Sequence, residues 1–153
     1  MAEKIPIGSD HAGYEIKEEI AGYLKELGYE PENMGTTGQQ SVDYPDFAEL
    51  VAGMVSRGER GRGILVCGTG IGMSIAANKL PNVRASLVMN EEMARLSRSH
   101  NDANVLALGG RMLGRDEARA IVRAWLQTPF MGGRHARRVE KIAEIEGRTG
   151  RDG

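Results

Sequence analysis

The sequence has little of what marks a secreted, membrane-bound or nucleic-acid-binding protein. One cysteine among 153 residues allows no internal disulfide, and aromatic residues make up only 5% of the chain. No apolar run approaches the roughly 20 residues that a membrane-spanning helix needs. A formal net charge of -1 provides no general attraction to nucleic acids or anionic lipids. We therefore expect a protein of the reducing cytoplasm, without a secretory signal, that binds neither nucleic acid nor membrane.

The chain does have a regular alternation of short apolar runs and helical patterns. The alternation repeats five times, which is typical of βα units on a parallel sheet. The predicted strands cover residues 4–9, 29–34, 63–66, 84–89 and 104–108, and Pro31 places the second strand at a sheet edge. Helices are predicted between the strands, with a short one over 73–79, another over 91–99 and a last one over 134–145. We expect a single domain over residues 1–146 and a disordered tail over 147–153.

The most informative segment is residues 67–75, which reads Cys-Gly-Thr-Gly-Ile-Gly-Met-Ser-Ile directly after the third predicted strand. The backbone N–H groups of a glycine loop and the positive end of the following helix together favour a bound anion. Such a loop would stabilise a thiolate at Cys67 as well as a developing oxyanion. A cysteine at a strand end can also be a small buried hydrophobic residue, but the glycine loop favours a functional role here.

Three polar clusters follow the first, third and fifth predicted strands, so they share the carboxyl-end rim where open α/β sheets bind ligands. These clusters are Asp10 with His11, the loop over 67–72, and residues 109–111, which include Arg111. Asp10 can cap the following helix, act as a catalytic carboxylate, or do both. His11, like His100 and His135, can alternatively be an ordinary surface or core histidine.

A second group of polar residues is predicted at the opposite edge. His100 and Asn101 follow the fourth helix and enter the fifth strand at its amino end, away from Cys67. Either an irregular turn or a second subunit would have to bring them to the rim, and we favour a two-fold dimer. Arg134 and Arg138 share one face of the last helix, as in a phosphate clamp. A solvated charged face is the alternative, since acidic residues follow on the same helix.

Four separated motifs occur in order along the chain. They are Ser-Asp-His-Ala-Gly at 9–13, Cys-Gly-Thr-Gly-Ile-Gly-Met-Ser-Ile-Ala-Ala-Asn-Lys at 67–79, Ser-His-Asn-Asp-Ala-Asn-Val-Leu at 99–106, and Gly-Gly-Arg-His-Ala-Arg-Arg-Val at 132–139. With these motifs the chain resembles the type B ribose-5-phosphate isomerases of the ribose/galactose isomerase family over nearly its whole length. The resemblance implies a Rossmann-like three-layer α/β/α fold with a five-stranded parallel sheet and an extra C-terminal helix. It also implies a homodimer, with a tetramer left open.

The resemblance further implies a reaction and the residues that perform it. Ribose 5-phosphate and ribulose 5-phosphate would interconvert through an enediolate without a metal or other cofactor. Cys67 matches the catalytic base, and Asp10 matches a contact to the sugar hydroxyls. His100 matches the residue that helps open the furanose ring, with Asp10 or Thr69 of the oxyanion-holding loop in support. Residues that match contacts to the oxyanion, sugar or phosphate are His11, Gly68, Gly70, Ile71, Gly72, Asn101, Arg111, Arg134 and Arg138.

Other functions stay open at this point. Related isomerases of allose, galactose or tetrulose phosphates share much of this motif set, and a non-catalytic sugar-phosphate or nucleotide sensor could use the same loop. A nucleotide-dependent oxidoreductase would use Glu91 to contact a ribose, although the glycine spacing is not the dinucleotide pattern. Asp10, His11 and His100 lack the compact spacing of a metal-binding set, so no metal is predicted.

Overall fold

The computed structural model describes residues 1–150, which fold into a parallel α/β structure with one five-stranded sheet. The strands, in chain order, are β1 (Lys4–Ser9), β2 (Glu30–Asn33), β3 (Gly63–Cys67), β4 (Ala85–Leu87) and β5 (Val105–Gly109). The helices are α1 (Tyr14–Glu26), α2 (Tyr44–Ser56), α3 (Ile71–Ala77), α4 (Glu91–Ser99), α5 (Arg115–Gln127) and α6 (Arg134–Thr149). The predicted fold class is confirmed. Within the described residues, no helix is both long and apolar enough to cross a membrane.

The order of the strands determines where a ligand can bind. The sheet runs β2-β1-β3-β5-β4, with all neighbours parallel. The strand that contains Pro31 lies at one edge, as predicted. The chain leaves β1 toward β2 and then crosses back to β3, so the carboxyl ends of β1 and β3 border the crevice of an open sheet. Cys67 ends β3 and lies in register with Gly109 at the end of β5.

Helices cover both faces of the sheet because the buried strands are apolar on both sides. Leu65 packs with α2 and α3, whereas the next residue, Val66, packs on the opposite face with α1 and α5. This alternation follows from the two-residue period of a strand. The apolar stripe predicted for the fifth helix is buried against the second of these faces, and comprises Ala118, Ile121, Val122, Trp125 and Leu126.

Several predicted boundaries are displaced. Helix α3 covers Ile71–Ala77 rather than 73–79, because Thr69 Oγ1 accepts the N–H of Ile71 at 3.2 Å and starts the helix there. Strand β4 is limited to Ala85–Leu87, since the N–H of Arg84 donates to the side chain of Asn104 before the ladder begins. Strand β5 covers Val105–Gly109, one residue later at each end than predicted.

The last helix is longer than predicted. Helix α6 ends at Thr149, so the prediction of a disordered tail is wrong for residues 147–149, and residues 151–153 lie outside the described part of the chain. Gly147 is tolerated because the surrounding turn is held on two sides. Glu146 accepts the N–H of Asn82 through its carboxylate at 2.9 Å, and its carbonyl accepts the hydroxyl of Thr149 at 2.8 Å.

A close approach of α1 to β3 requires glycine at position 13. A Cβ there would lie 2.5 Å from the carbonyl oxygen of Val66, so we expect Gly13→Ala to destabilise the protein by about 1–3 kcal/mol. A Cβ on Gly22, inside α1, would meet no atom within 4 Å, so Gly22→Ala is a matched control that should stabilise by up to about 1 kcal/mol. Urea titrations of both variants and the wild type measure these changes in the free energy of unfolding. Equal stability of Gly13→Ala and the wild type would contradict the close approach.

Candidate active site

A cleft of about 450 Å³ lies at the carboxyl ends of β1 and β3, and we call it the strand-end cleft. It is formed by the turn after β1, the start of α2, the glycine loop with α3, and the loop after β5. The lining residues are Asp10, His11, Ala12, Tyr44, Cys67, Gly68, Thr69, Ile71, Gly72, Ile75 and Arg111. The structure therefore brings together the residues predicted at this rim, and Gly70 is buried in the same loop.

The glycine loop holds the sulfur of Cys67 at the floor of the cleft. Only 5% of Cys67 is exposed, and its Sγ accepts the backbone N–H of Gly70 at 3.2 Å. Gly70 has φ +82°, and a Cβ there would lie 2.6 Å from Leu87 Cδ1, so glycine is required at this turn. The loop thus directs a backbone N–H at the sulfur, which stabilises negative charge on it.

Asp10 and His11 occupy the wall formed by the turn after β1. The buried carboxylate of Asp10 accepts the N–H of Gly13 through Oδ1 at 3.0 Å, so it caps the turn into α1 while also lining the cleft. His11 accepts the backbone N–H of Val42 through Nδ1 at 3.2 Å. Because a backbone N–H can only donate, a neutral His11 carries its proton on Nε2, which is then a donor for a ligand oxygen.

Arg111 supplies the positive charge of the cleft. Its backbone N–H donates to the carbonyl of Gly68 at 3.0 Å, and its side chain packs so close that a Cβ on Gly68 would lie 3.4 Å from Nη1. Within residues 1–150, the exposed Arg111 forms no ion pair with a carboxylate. The guanidinium is therefore available to an anion bound in the cleft.

Tyr44 is a cleft residue that was not predicted from the sequence. Its ring lies against Gly72, where a Cβ would be 2.6 Å from Cε1. From the sequence, only the loops after the first, third and fifth strands were expected at the rim. The loop after β2, which leads to Tyr44, was not considered. That segment also starts at the carboxyl end of a strand, so the same rule would have drawn attention to it.

The remaining predicted site residues, which are His100, Asn101, Arg134 and Arg138, lie elsewhere. Together with His135, which was not predicted as a site residue, they form a group that we call the amino-edge cluster. The ring of His100 stacks on that of His135, with centroids 4.1 Å apart and an interplanar angle of 10°. This contact places the start of α6 beside the end of α4. None of the five residues lines the strand-end cleft of the same chain.

Backbone and arginine contacts hold the turn that carries His100 and Asn101. Arg98 Nη1 donates to Asp102 Oδ1 at 3.1 Å and to the carbonyl of Ala103 at 2.6 Å. The N–H of Met131 donates to the carbonyl of Ser99 at 3.0 Å, which ties the segment before α6 to the same turn. The backbone that carries His100 and Asn101 and the segment that leads into α6 are therefore held against each other.

The length of β5 separates the two groups. The five residues from Val105 to Gly109 span roughly 13 Å, and His100 lies beyond the amino end while Cys67 pairs at the carboxyl end. His100 and Asn101 thus lie at the opposite edge from Cys67, as predicted. Asp10 and His11 are separated from His100 in the same way. Within the described residues, no three His, Cys, Asp or Glu side chains converge where a metal ion could bind.

Comparison with known proteins identifies the family. The profile of the family described as Ribose/Galactose Isomerase matches residues 5–142. The chain belongs to the ribose/galactose isomerase family. It is 49% identical to ribose-5-phosphate isomerase B of Escherichia coli (strain K12) over 146 residues, which cover 95% of this chain and 98% of that protein.

Solved structures of this ribose/galactose isomerase family agree in fold. Ribose-5-phosphate isomerase B of Clostridium thermocellum is 59% identical, with a TM-score of 0.93 over 95% of this chain and 99% of that chain. The Mycoplasma genitalium enzyme with bound ribulose-5-phosphate is 42% identical, with a TM-score of 0.92 over 96% and 98% of the two chains.

Glu91, named for the oxidoreductase alternative, pairs with Arg95 on α4 and does not line the strand-end cleft.

In this member of the ribose/galactose isomerase family, the amino-edge cluster is electrostatically suited to an anion. Burial lowers the pKa of His135 below 6.5, and the neighbouring His100, Arg134 and Arg138 lower this pKa further. Burial and the nearby positive charge together disfavour another proton on His135.

The lowered pKa of His135 makes stability depend on pH. Since the unfolded chain binds the proton more tightly, stability is retained above pH 6.5 and declines as the pH falls from there through the folded-state pKa. His135→Phe keeps an aromatic ring for stacking and removes the titration. We expect the loss of unfolding free energy between about pH 8 and about pH 5.5 to be smaller in His135→Phe than in the wild type. Equal losses in urea titrations would contradict this effect.

Proposed function

We propose that the protein interconverts ribose 5-phosphate and ribulose 5-phosphate through an enediolate. The observation that carries this proposal is the strand-end cleft, where the only thiol accepts a backbone N–H beside a glycine loop and an unpaired arginine. Relatives with this fold are named ribose-5-phosphate isomerase B, and one of them was solved with ribulose-5-phosphate bound. A thiol beside oxyanion donors suits proton transfer next to a carbonyl.

Chemically, the ring must open before isomerisation. His100 donates a proton to the ring oxygen and accepts the proton of the anomeric hydroxyl, with Asp10 or Thr69 in support. The thiolate of Cys67 then removes the C2 proton of the aldose, and the electron pair moves to form the enediolate. The thiol returns this proton to C1 while the proton of the O2 hydroxyl passes to O1, which gives the ketose and regenerates the thiolate. N–H groups of the loop over 68–72 stabilise the oxyanion, and such a donor contributes about 3 kcal/mol.

The substrate phosphate needs cations from both polar groups. His11 and Arg111 lie in the strand-end cleft, whereas Arg134 and Arg138 are exposed at the start of α6. Phosphate oxygens accept paired hydrogen bonds from guanidinium groups, so the arginines would hold the sugar with its C2 over Cys67.

A homodimer would join the two groups. In an isologous pair, the amino-edge cluster of each subunit reaches the strand-end cleft of the other. Exposed apolar side chains support such a pairing. They lie on α3, after β4, on α4 and on α6, and are Ile71, Ile75, Met89, Met93, Leu96, Ile142 and Ile145. A tetramer would need a second self-complementary surface. Within a reducing cytoplasm Cys67 stays a free thiol.

The reaction itself is tested with purified protein on a panel of aldose 5- and 6-phosphates and a ketose product assay. We expect the highest kcat/KM with ribose 5-phosphate. Preference for allose 6-, galactose 6- or tetrulose 4-phosphate would show an isomerase with another substrate. Binding of ribose 5-phosphate without turnover would show a sensor and contradict the proposal.

The role of Cys67 as the base is tested by solvent exchange. Cys67→Ser is nearly isosteric and should fold normally, but a hydroxyl is a far poorer base near neutral pH, so turnover should fall by at least ~100-fold. The wild type should incorporate solvent deuterium at the reacting carbon, and the variant should not. Substrate should protect the wild type against thiol alkylation. Undiminished exchange in Cys67→Ser would mean that another group carries the proton.

The phosphate clamp is tested by two neighbouring arginines of α6. Arg138→Ala should raise KM by one to two orders of magnitude, the effect of losing a charge-assisted contact of about 1.5–3 kcal/mol. Arg137 is also exposed but lies about 100° away around the helix, so Arg137→Ala is the matched control and should change KM less than about twofold. If both substitutions changed KM equally, Arg138 would be an ordinary solvent-exposed arginine and not a phosphate contact.

A further inference from the structure

Lys17 is a fully buried lysine that the proposed reaction does not use. Its side chain is 1% exposed, and Nζ donates to the carbonyl of Thr36 at 2.6 Å and to Asn33 Oδ1 at 2.8 Å. Nζ also lies 3.0 Å from Glu18 Oε2 and 5.0 Å from the ring centroid of Tyr14. Burying an ammonium group is unfavourable unless its partners are well placed, so this arrangement calls for a reason beyond packing.

The contacts of Lys17 converge on the segment that follows β2, residues 34–43. Asn33 Oδ1, held by Lys17, also accepts the N–H of Gly35 at 3.1 Å. The N–H of Thr36 in turn donates to the carbonyl of Ser9 at 2.8 Å, which ties the start of the segment to the end of β1. Lys17 thereby fixes the segment where it passes the residue before Asp10.

The other end of this segment reaches the strand-end cleft. The N–H of Val42 donates to Nδ1 of His11 at 3.2 Å, and Tyr44, two residues later, lines the cleft. Midway along the segment, the exposed Gln39 donates through Nε2 to Glu15 Oε1 at 2.9 Å. The segment is thus held on α1 at two points, Lys17 and Glu15, and touches His11 at a third.

We infer that Lys17 is a positioning residue for His11: by holding the carbonyl of Thr36, it places the N–H of Val42 against Nδ1 and keeps the imidazole proton on Nε2, facing the substrate. The consequence for binding rests on the proposed phosphate contact of His11. The effect of Lys17 on the tautomer of His11 does not depend on that phosphate contact. The tautomer and the substrate affinity are therefore measured separately.

The direct test is Lys17→Met, which keeps an unbranched side chain of similar length and removes the donor. Two-bond ¹H–¹⁵N spectra report the tautomer of each histidine, and the resonances of His11 are assigned with His11→Gln. We expect a single Nε2–H tautomer in the wild type and a mixture of tautomers in Lys17→Met. Lys25→Met, an exposed position on the same helix, is the control and should match the wild type. An unchanged His11 spectrum in folded Lys17→Met would overturn the inference.

Kinetics of the same variants separate positioning from general damage. Lys17→Met should raise KM for ribose 5-phosphate about tenfold and change kcat less than about twofold, as expected when binding common to ground and transition states is lost. A tautomer change without a KM change would support the positioning role and count against the phosphate role of His11. A fall in kcat alone would overturn the inference, because His11 is not assigned to the proton transfers.

A second variant covers the case in which Lys17→Met does not fold. Gln39→Ala removes the exposed contact to Glu15 on the same segment and leaves the core untouched. The same two readouts should change in the same direction, with KM rising about two- to threefold. No change in the His11 spectrum of Gln39→Ala, with Lys17→Met unfolded, would overturn the inference.

Discussion

In a parallel sheet, residues that follow the strands lie at the carboxyl ends of the strands, and residues that precede the strands lie at the amino ends. In this protein, Cys67 and Asp10 follow strands, whereas His100 and Asn101 precede β5, so the length of β5 lies between the two groups. No side-chain rotation crosses a distance of roughly 13 Å. We therefore propose that the site is completed where the carboxyl ends of the strands of one subunit meet the amino ends of those of another.

Within each edge, backbone hydrogen bonds determine the positions of the chemical groups. The N–H of Gly70 directs the sulfur of Cys67, the N–H of Val42 selects the tautomer of His11, and the N–H of Gly13 holds the carboxylate of Asp10. A backbone N–H can only donate, so each of these contacts favours the form of its partner that offers a lone pair. The thiol, the imidazole and the carboxylate are thus positioned by backbone groups that act only as donors.

Much of this arrangement could be predicted from the sequence because it depends on local patterns. The apolar stripe of α5, the edge position of the strand with Pro31 and the glycine loop after Cys67 each follow from a few neighbouring residues. The opposite edges of Cys67 and His100 follow from chain order alone. The resemblance added the roles of the residues, which spacing by itself left open.

The features that were missed depend on contacts distant in sequence. Tyr44 reaches the cleft because residues 34–43 cross the end of β1, and His135 stacks on His100 because α6 returns to the end of α4. The buried Lys17 likewise contacts Thr36, nineteen positions away. Helix α6 continues to Thr149 because Glu146 contacts Asn82, a partner that helical periodicity does not reveal.

The most direct test of the shared site mixes two inactive variants, Cys67→Ala and His100→Ala. Each homodimer lacks one essential group in both sites. After subunits exchange, half of the dimers are mixed, and each mixed dimer has one site with both Cys67 and His100. We expect activity to recover to about a quarter of the wild-type value. If every site used residues of a single chain, exchange demonstrated by mass spectrometry would restore no activity, and this result would contradict the account.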